Sequence, residues 1–190
     1  LRNKGSYRLE EDIALLKLME HGDSSAFDEL YHRYAARLAR FASYTLGNDR
    51  ALAEDMVQDL FIKIIENPSL YNHEYKFSTW LFSCINNRIK NEYRNKQNRN
   101  RIEEEYLAES DICIPDLRDI DLKIIKQQII MQLEEYSYEQ RTTFLLRFIE
   151  DLSIKEIAQL TECSEGTVKS RLFYTLKKLG SSLKVYEHQL

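Results

Sequence analysis

The chain has 190 residues, 43% of them hydrophobic and 31% charged, enough apolar material for a core and too much for wholesale disorder. Its 27 Lys+Arg against 31 Asp+Glu leave a formal net charge of −4, and only 5 Gly and 2 Pro starve it of turn punctuation, which argues for long helices with few strands. The glycines (Gly5, Gly22, Gly47, Gly166, Gly180) make neither a GxGxxG nor a P-loop, and no apolar run approaches the ~18 residues that suggest a membrane span.

The N-terminal residues carry no apolar h-region, so no secretion signal is expected. Cys84, Cys113 and Cys163 make no CxxC pair, and His21, His32, His73 and His188 do not cluster with them. The reading is a reduced, cytoplasmic chain with no metal site and no cofactor. Neither GxSxG nor HExxH occurs, so hydrolase readings have no handle.

In chain order, Ile13, Leu15, Leu16 and Met19 suit a short amphipathic helix over residues 10–19, ending near Gly22. Asp23, Ser24 and Ser25 offer caps for a second helix, striped with Phe27, Leu30, Tyr31, Tyr34, Leu38, Phe41 and Ala42. Gly47-Asn48-Asp49 breaks it. A third helix over residues 50–66 shows Leu52, Met56, Leu60, Phe61, Ile64 and Ile65 on one face, until Asn67-Pro68 stops it. Asp55, Gln58 and Asp59 share another face of that helix; taken alone they read as a solvated acidic stripe. After a loop, a fourth helix runs from Phe77 into a basic island. Four such helices make a compact bundle-like domain.

Charge is uneven. Residues 86–101 carry net +5, residues 102–121 net −7, and residues 167–184 net +5. Two basic islands, each beside a helical pattern, point to a polyanion touched at two places, because local patches set the field near a phosphate whatever the mean pI. Tyr71, Tyr75, Phe77 and Trp80 precede the first island. Aromatics beside cations hold single-stranded bases by stacking, although Phe77, Trp80 and Leu81 also read simply as core. The acidic stretch lacks periodicity, contains Pro115 and reads as a linker over 102–120, able to span roughly 65–70 Å when fully stretched.

Beyond it, Leu122, Ile125, Ile129, Ile130 and Leu133 mark one helix, and residues 138–150, with Phe144, Leu145 and Phe148, a second. Then Ser153 caps a short helix, with Glu156 completing a capping box. Ile157, Ala158 and Leu160 face inward, residues 161–164 turn the chain, and a final helix starts at Ser164 or Glu165. It places Val168 and Leu172 inward and Thr167, Lys169, Ser170 and Arg171 outward. This is helix-turn-helix grammar, lacking only the usual turn glycine.

These residues resemble one family. Residues 23–34 (DSSAFDELYHRY), 53–61 (AEDMVQDLF), 77–94 (FSTWLFSCINNRIKNEYR) and 152–172, with the string GTVKSR, are similar to bacterial RNA polymerase sigma factors of the extracytoplasmic-function (ECF) group of the sigma-70 superfamily. The match spans residues 9–185, and the shortness of the chain is the group's own mark. The resemblance implies an all-α fold of two small helical domains. A region-2-like domain would cover 9–101, for core polymerase binding and for recognition and melting of the −10 element. A linker would follow over 102–120, and a region-4-like helix-turn-helix domain over 121–187, for the −35 element. Asp55, Gln58, Asp59 and Phe61 would bind core polymerase. Asn72, Lys76, Thr79, Asn87, Arg88, Lys90, Asn91 and Arg94 would serve the −10 strand, the loop 72–76 receiving a flipped base.

On the −35 element, Lys169, Ser170, Phe173 and Tyr174 would meet base edges or thymine methyls. Arg171, Lys177 and Lys178 would hold phosphates, and so would the Thr167 backbone at the helix N-terminus. The implied partners are core RNA polymerase (the clamp coiled coil of its largest subunit and the flap of its second-largest), promoter DNA in double- and single-stranded form, and an anti-sigma factor, with no direct membrane contact. Strand opening would draw on binding energy alone, in keeping with the missing P-loop. Departures from the family pattern lie at Glu135-Tyr136, Asn86, Asn91 and Tyr174, and bear on DNA sequence preference.

Two rivals are weaker. A stand-alone helix-turn-helix repressor has no use for AEDMVQDLF or a strand-opening segment. A di-iron bundle finds Glu29-x-x-His32 but no second Glu-x-x-His.

Overall fold

The computed structural model describes residues 7–99 and 120–187. The chain divides into two compact units, Leu1–Arg101 and Ile102–Leu190. Among the described residues all regular structure is helical. No described helix is long and apolar enough to cross a membrane. Residues 102–119 of the expected linker lie outside the described residues, and Ile120 opens a helix.

The first unit begins with a 3-10 turn, Tyr7–Leu9, that sequence periodicity does not reveal. Helices α1 (Asp12–Glu20), α2 (Ser24–Thr45), α3 (Arg50–Glu66) and α4 (Phe77–Arg99) follow, with a second 3-10 turn at Pro68–Leu70. The breaks arise from local chemistry. Asp23 caps α2, its carboxylate accepting from the backbone N–H groups of Ser25 and Ala26 at 3.0 and 3.3 Å. Gly47 and Asn48 take left-handed backbone conformations that stop α2, and Asp49 then caps α3 by accepting from the Leu52 N–H at 3.1 Å.

Helix α2 is central and packs on α1, α3 and α4. Its Leu30, Leu38 and Phe41 meet Met56, Leu60 and Ile64 of α3 and Leu81, Phe82 and Ile85 of α4 in one buried core. Phe41 meets Phe82 edge-on, with ring centroids 5.4 Å apart. Ile65 departs from its expected place in the apolar stripe and is 51% exposed. One residue beyond buried Ile64, it lies roughly 100° further round the helix.

One arginine staples the start of the unit. Arg33 donates to Glu29 at 2.8 Å, to Asp12 at 2.9 Å, and to the carbonyls of Tyr7 and Glu10 at 2.8 and 3.0 Å. Burial opposes its charge, but the two carboxylates outweigh burial and raise its pKa. Glu29 of the Glu29-x-x-His32 spacing is thereby committed to Arg33.

The second unit comprises α5 (Ile120–Leu133), α6 (Tyr138–Phe148), α7 (Ile154–Thr161) and α8 (Glu165–Glu187). Ser137 caps α6 by accepting from the Gln140 N–H. The capping box forms at α7: Ser153 Oγ accepts from the Glu156 N–H at 3.2 Å, and Glu156 accepts from the Ser153 N–H at 2.9 Å. Leu145, Leu146, Ile157, Leu160, Val168, Leu172 and Leu179 form the core, and Ala158 is buried where α7 meets α8. Phe148, expected with the apolar side of its helix, is half-exposed, its ring 4.7 Å from that of Phe144.

Candidate functional site

Three surfaces gather the residues of interest. On α3, Asp55, Gln58 and Asp59 are exposed side by side. The same face continues into Ile62 and Ile65, each 51% exposed. Neither isoleucine was expected at a surface, yet Ile62 lies three and four residues from Asp59 and Gln58, and Ile65 three beyond Ile62, a spacing that carried the signal. Phe61, expected to bind core polymerase, is 2% exposed and is corrected to a packing role. Its ring meets Tyr31 edge-on at 4.9 Å and Phe27 at 6.0 Å, so it fixes the seam between α2 and α3.

The second surface runs from the loop before α4 along that helix. Tyr71 is buried, its ring 5.3 Å from Phe77 and 5.5 Å from Trp80. Its hydroxyl donates to the Tyr75 carbonyl, and burial raises its pKa, so the donating proton is kept. Asn72 turns the loop by accepting from the Glu74 N–H at 2.9 Å. Asn72 and Lys76 stand exposed on this braced loop. Phe77 is core and stacks on Trp80 at 5.8 Å, while Trp80 keeps part of its surface open. Thr79, expected to serve the −10 strand, is 2% exposed and is corrected to the core: it sits on the side of α4 that packs inward. Asn87, Asn91 and Arg94 face outward, and Arg88 and Lys90 are half-buried. Arg88 is not a free cation, because its guanidinium donates to Asp59 across the α3–α4 seam. Nearby, burial pushes the Cys84 thiol up to about 11, against the pull of Lys63.

The third surface is the helix-turn-helix. Helix α7 ends in Glu162, which takes the left-handed conformation (φ 55°) that glycine usually fills. Ser164 then caps α8: its Oγ accepts from the Thr167 N–H at 3.1 Å and pairs with the Thr167 hydroxyl at 2.9 Å. The Thr167 N–H, expected to hold a phosphate at the helix N-terminus, is engaged by Ser164 in this structure. Lys169, Ser170, Phe173, Tyr174 and Lys177 are exposed, and the Phe173 and Tyr174 rings meet edge-on at 5.4 Å. Arg171 donates to Cys163 Sγ at 3.6 Å, and the Lys178 ammonium lies 4.3 Å from the centre of the Tyr136 ring. Gly166 leaves the first turn open, since a Cβ there would meet only Ser164 Oγ, at 3.6 Å.

Two family models match the two units: sigma-70 region 2 over residues 30–99, and sigma-70 region 4 over residues 126–179. An ECF RNA polymerase sigma-E factor of Haemophilus influenzae is 33% identical over 186 residues, covering 91% of this chain and 95% of the relative. The ECF RNA polymerase sigma factor SigW of Bacillus subtilis is 26% identical, covering 89% and 95%. The sigma factor RpoE of Bartonella quintana, solved with the anti-sigma factor NepR, superposes with a TM-score of 0.65 at 25% identity, over 84% of this chain and 97% of that one. CnrH, solved with the cytosolic domain of CnrY, shares the fold with a TM-score of 0.65 at 21% identity, over 93% and 99%.

Two sigma-70 regions on one chain, helical throughout its described regular structure, define a promoter-directing transcription initiation factor, which works with core RNA polymerase on promoter DNA. Within that class, the chain belongs to the ECF sigma factors.

Proposed function

We propose that the exposed face of α3 docks the first unit on the clamp coiled coil of the polymerase's largest subunit, while the second unit meets the flap of the second-largest. The observation that carries this reading is the run Asp55, Gln58, Asp59, Ile62 and Ile65, acidic at one end and apolar at the other on a single helix face. Carboxylates there set orientation and on-rate, and the isoleucines supply apolar area. Asp55→Ala is expected to weaken core binding several-fold with an unchanged unfolding midpoint. An unchanged titration against core polymerase would remove α3 from the interface.

On DNA, Asn72 and Lys76 of the braced loop would receive a base from the −10 strand, with Asn87, Arg88, Lys90, Asn91 and Arg94 along the neighbouring backbone. Helix α8 would enter the major groove of the −35 element with Lys169, Ser170, Phe173 and Tyr174 toward the bases. Arg171, Lys177 and Lys178 would hold phosphates. Lys169→Ala is expected to relax preference at one base position, with about 1–3 kcal/mol at stake. Lys177→Ala is expected to weaken all sequences alike and to flatten the salt dependence. Competition assays over single-base promoter variants separate the two, and identical behaviour of both mutants would refute the sorting.

The chain would act in the cytoplasm, without catalysis or cofactor of its own. An anti-sigma partner is inferred from likeness to the Bartonella protein, which was solved with one. Transcription in vitro with core polymerase on genomic fragments, with and without the chain, tests the whole. New start sites are expected, and unchanged initiation refutes the proposal.

A further inference from the structure

Asp59 and Arg88 belong to two different proposed surfaces, one for polymerase and one for DNA, yet they form a single ion pair. Their side chains are 52% and 36% exposed, so each is within reach of a partner arriving from outside. The pair marks a shared edge. One turn away on each helix, in opposite directions, Lys63 of α3 acts on Cys84 of α4, so the two helices run antiparallel along this seam. The bond engages one carboxylate oxygen and one guanidinium nitrogen. A second oxygen and the rest of the donor fork remain for other partners.

Electrostatics fixes the sign of the influence each charge has on the other's partner. The Asp59 carboxylate offsets the field of Arg88 at an approaching phosphate, and Arg88 offsets the field of Asp59 at an approaching cation. A polymerase cation that neutralises Asp59 leaves Arg88 a stronger anchor for the strand. Linkage requires the same coupling in reverse. We infer that the Asp59–Arg88 ion pair couples polymerase docking to capture of the DNA strand, with Arg88 as a positioning residue that restrains Asp59 until one of the two partners arrives. The inference rests on the proposed roles of the α3 and α4 surfaces.

The test is a titration of the labelled full-length chain against core polymerase. Asp59→Asn is expected to weaken binding. Arg88→Gln, which removes a residue of the DNA surface, is expected to tighten it about two- to five-fold, the range exposed ion pairs span. That gain should shrink at high salt and vanish in the Asp59→Asn background. Arg88→Lys, which keeps the charge, should restore the original affinity. The inference fails if Arg88→Gln weakens core binding, leaves it unchanged, or shifts it equally in both backgrounds. If Asp55→Ala still weakens docking in that case, the α3 reading survives and only the coupling is lost. If Asp55→Ala and Asp59→Asn both bind core normally, the reading itself fails and the coupling falls with it.

Discussion

Arg141→Ala is expected to destabilise the second unit strongly while leaving the first intact. Arg141 is buried in α6, and its guanidinium donates to three backbone carbonyls: Leu133 at 3.0 Å, Glu134 at 2.7 Å and Tyr136 at 3.4 Å. These carbonyls belong to the end of α5 and the turn after it, where the last carbonyls of a helix find no donors within it. Truncation removes charge-assisted bonds and leaves buried oxygens unsatisfied, at a cost of about 3–5 kcal/mol. A small domain holds roughly 0.05–0.15 kcal/mol per residue, so this loss takes a large share of the unit's stability. The chain supplies its own control, because its single tryptophan, Trp80, lies in the first unit. Denaturant titration should therefore show a lowered transition in far-ultraviolet circular dichroism with an unmoved transition in tryptophan fluorescence. Transcription dependent on the −35 element should disappear. A circular dichroism transition that stays in place would show that the three carbonyls find other donors.

Arg33→Ala should have the opposite signature, lowering the fluorescence transition. It releases the first 3-10 turn and α1 from α2, with an expected loss of about 2–3 kcal/mol, kept modest because the groups are partly exposed. The same network carries a pH signal. Tyr34 donates to Asp12, and its pKa is raised well above the ordinary tyrosine range, first by burial and then by that hydrogen bond. A folded-state pKa above the unfolded one favours the neutral phenol in the fold. The contribution is therefore fully present below about pH 10 and is lost as pH rises through the folded value. Fluorescence-monitored unfolding at successive pH values should show this decline in the native chain. Tyr34→Phe should start about 1 kcal/mol lower and lack the Tyr34 component of the decline.

What could be read from sequence was local. Asp23 and the Ser153–Glu156 box signal helix starts because a cap and its target lie within three residues. Gly47-Asn48 signals a stop because its backbone geometry is intrinsic. The stripes of α2 and α8 follow from helical spacing alone. The helix-turn-helix was legible even without its glycine, since Glu162 accepts the left-handed geometry in its place. What stayed hidden depends on tertiary packing. Helical spacing sets Phe61 and Ile65 alike in the apolar stripe of α3, and only the neighbours of that helix decide that Phe61 is buried while Ile65 stays in water beside Ile62. Thr79 reads as a polar surface residue until α4 is laid on its core. Arg33 and Arg141 spend much of their bonding on backbone oxygens, which leave no trace in composition. Asp59 and Arg88 are separated by 29 residues, so no sequence pattern pairs them.

The aromatic bracing beneath the loop at 72–76 has a thermodynamic consequence. The Tyr71 ring wedged against Phe77 and Trp80, its hydroxyl tied to Tyr75, and the Asn72 turn already immobilise that segment in the isolated chain. If the loop takes a base as proposed, the nucleotide would meet walls that need no rearrangement. The entropy of ordering would already be surrendered during folding, leaving the encounter free to spend its energy on pulling the base from its stack.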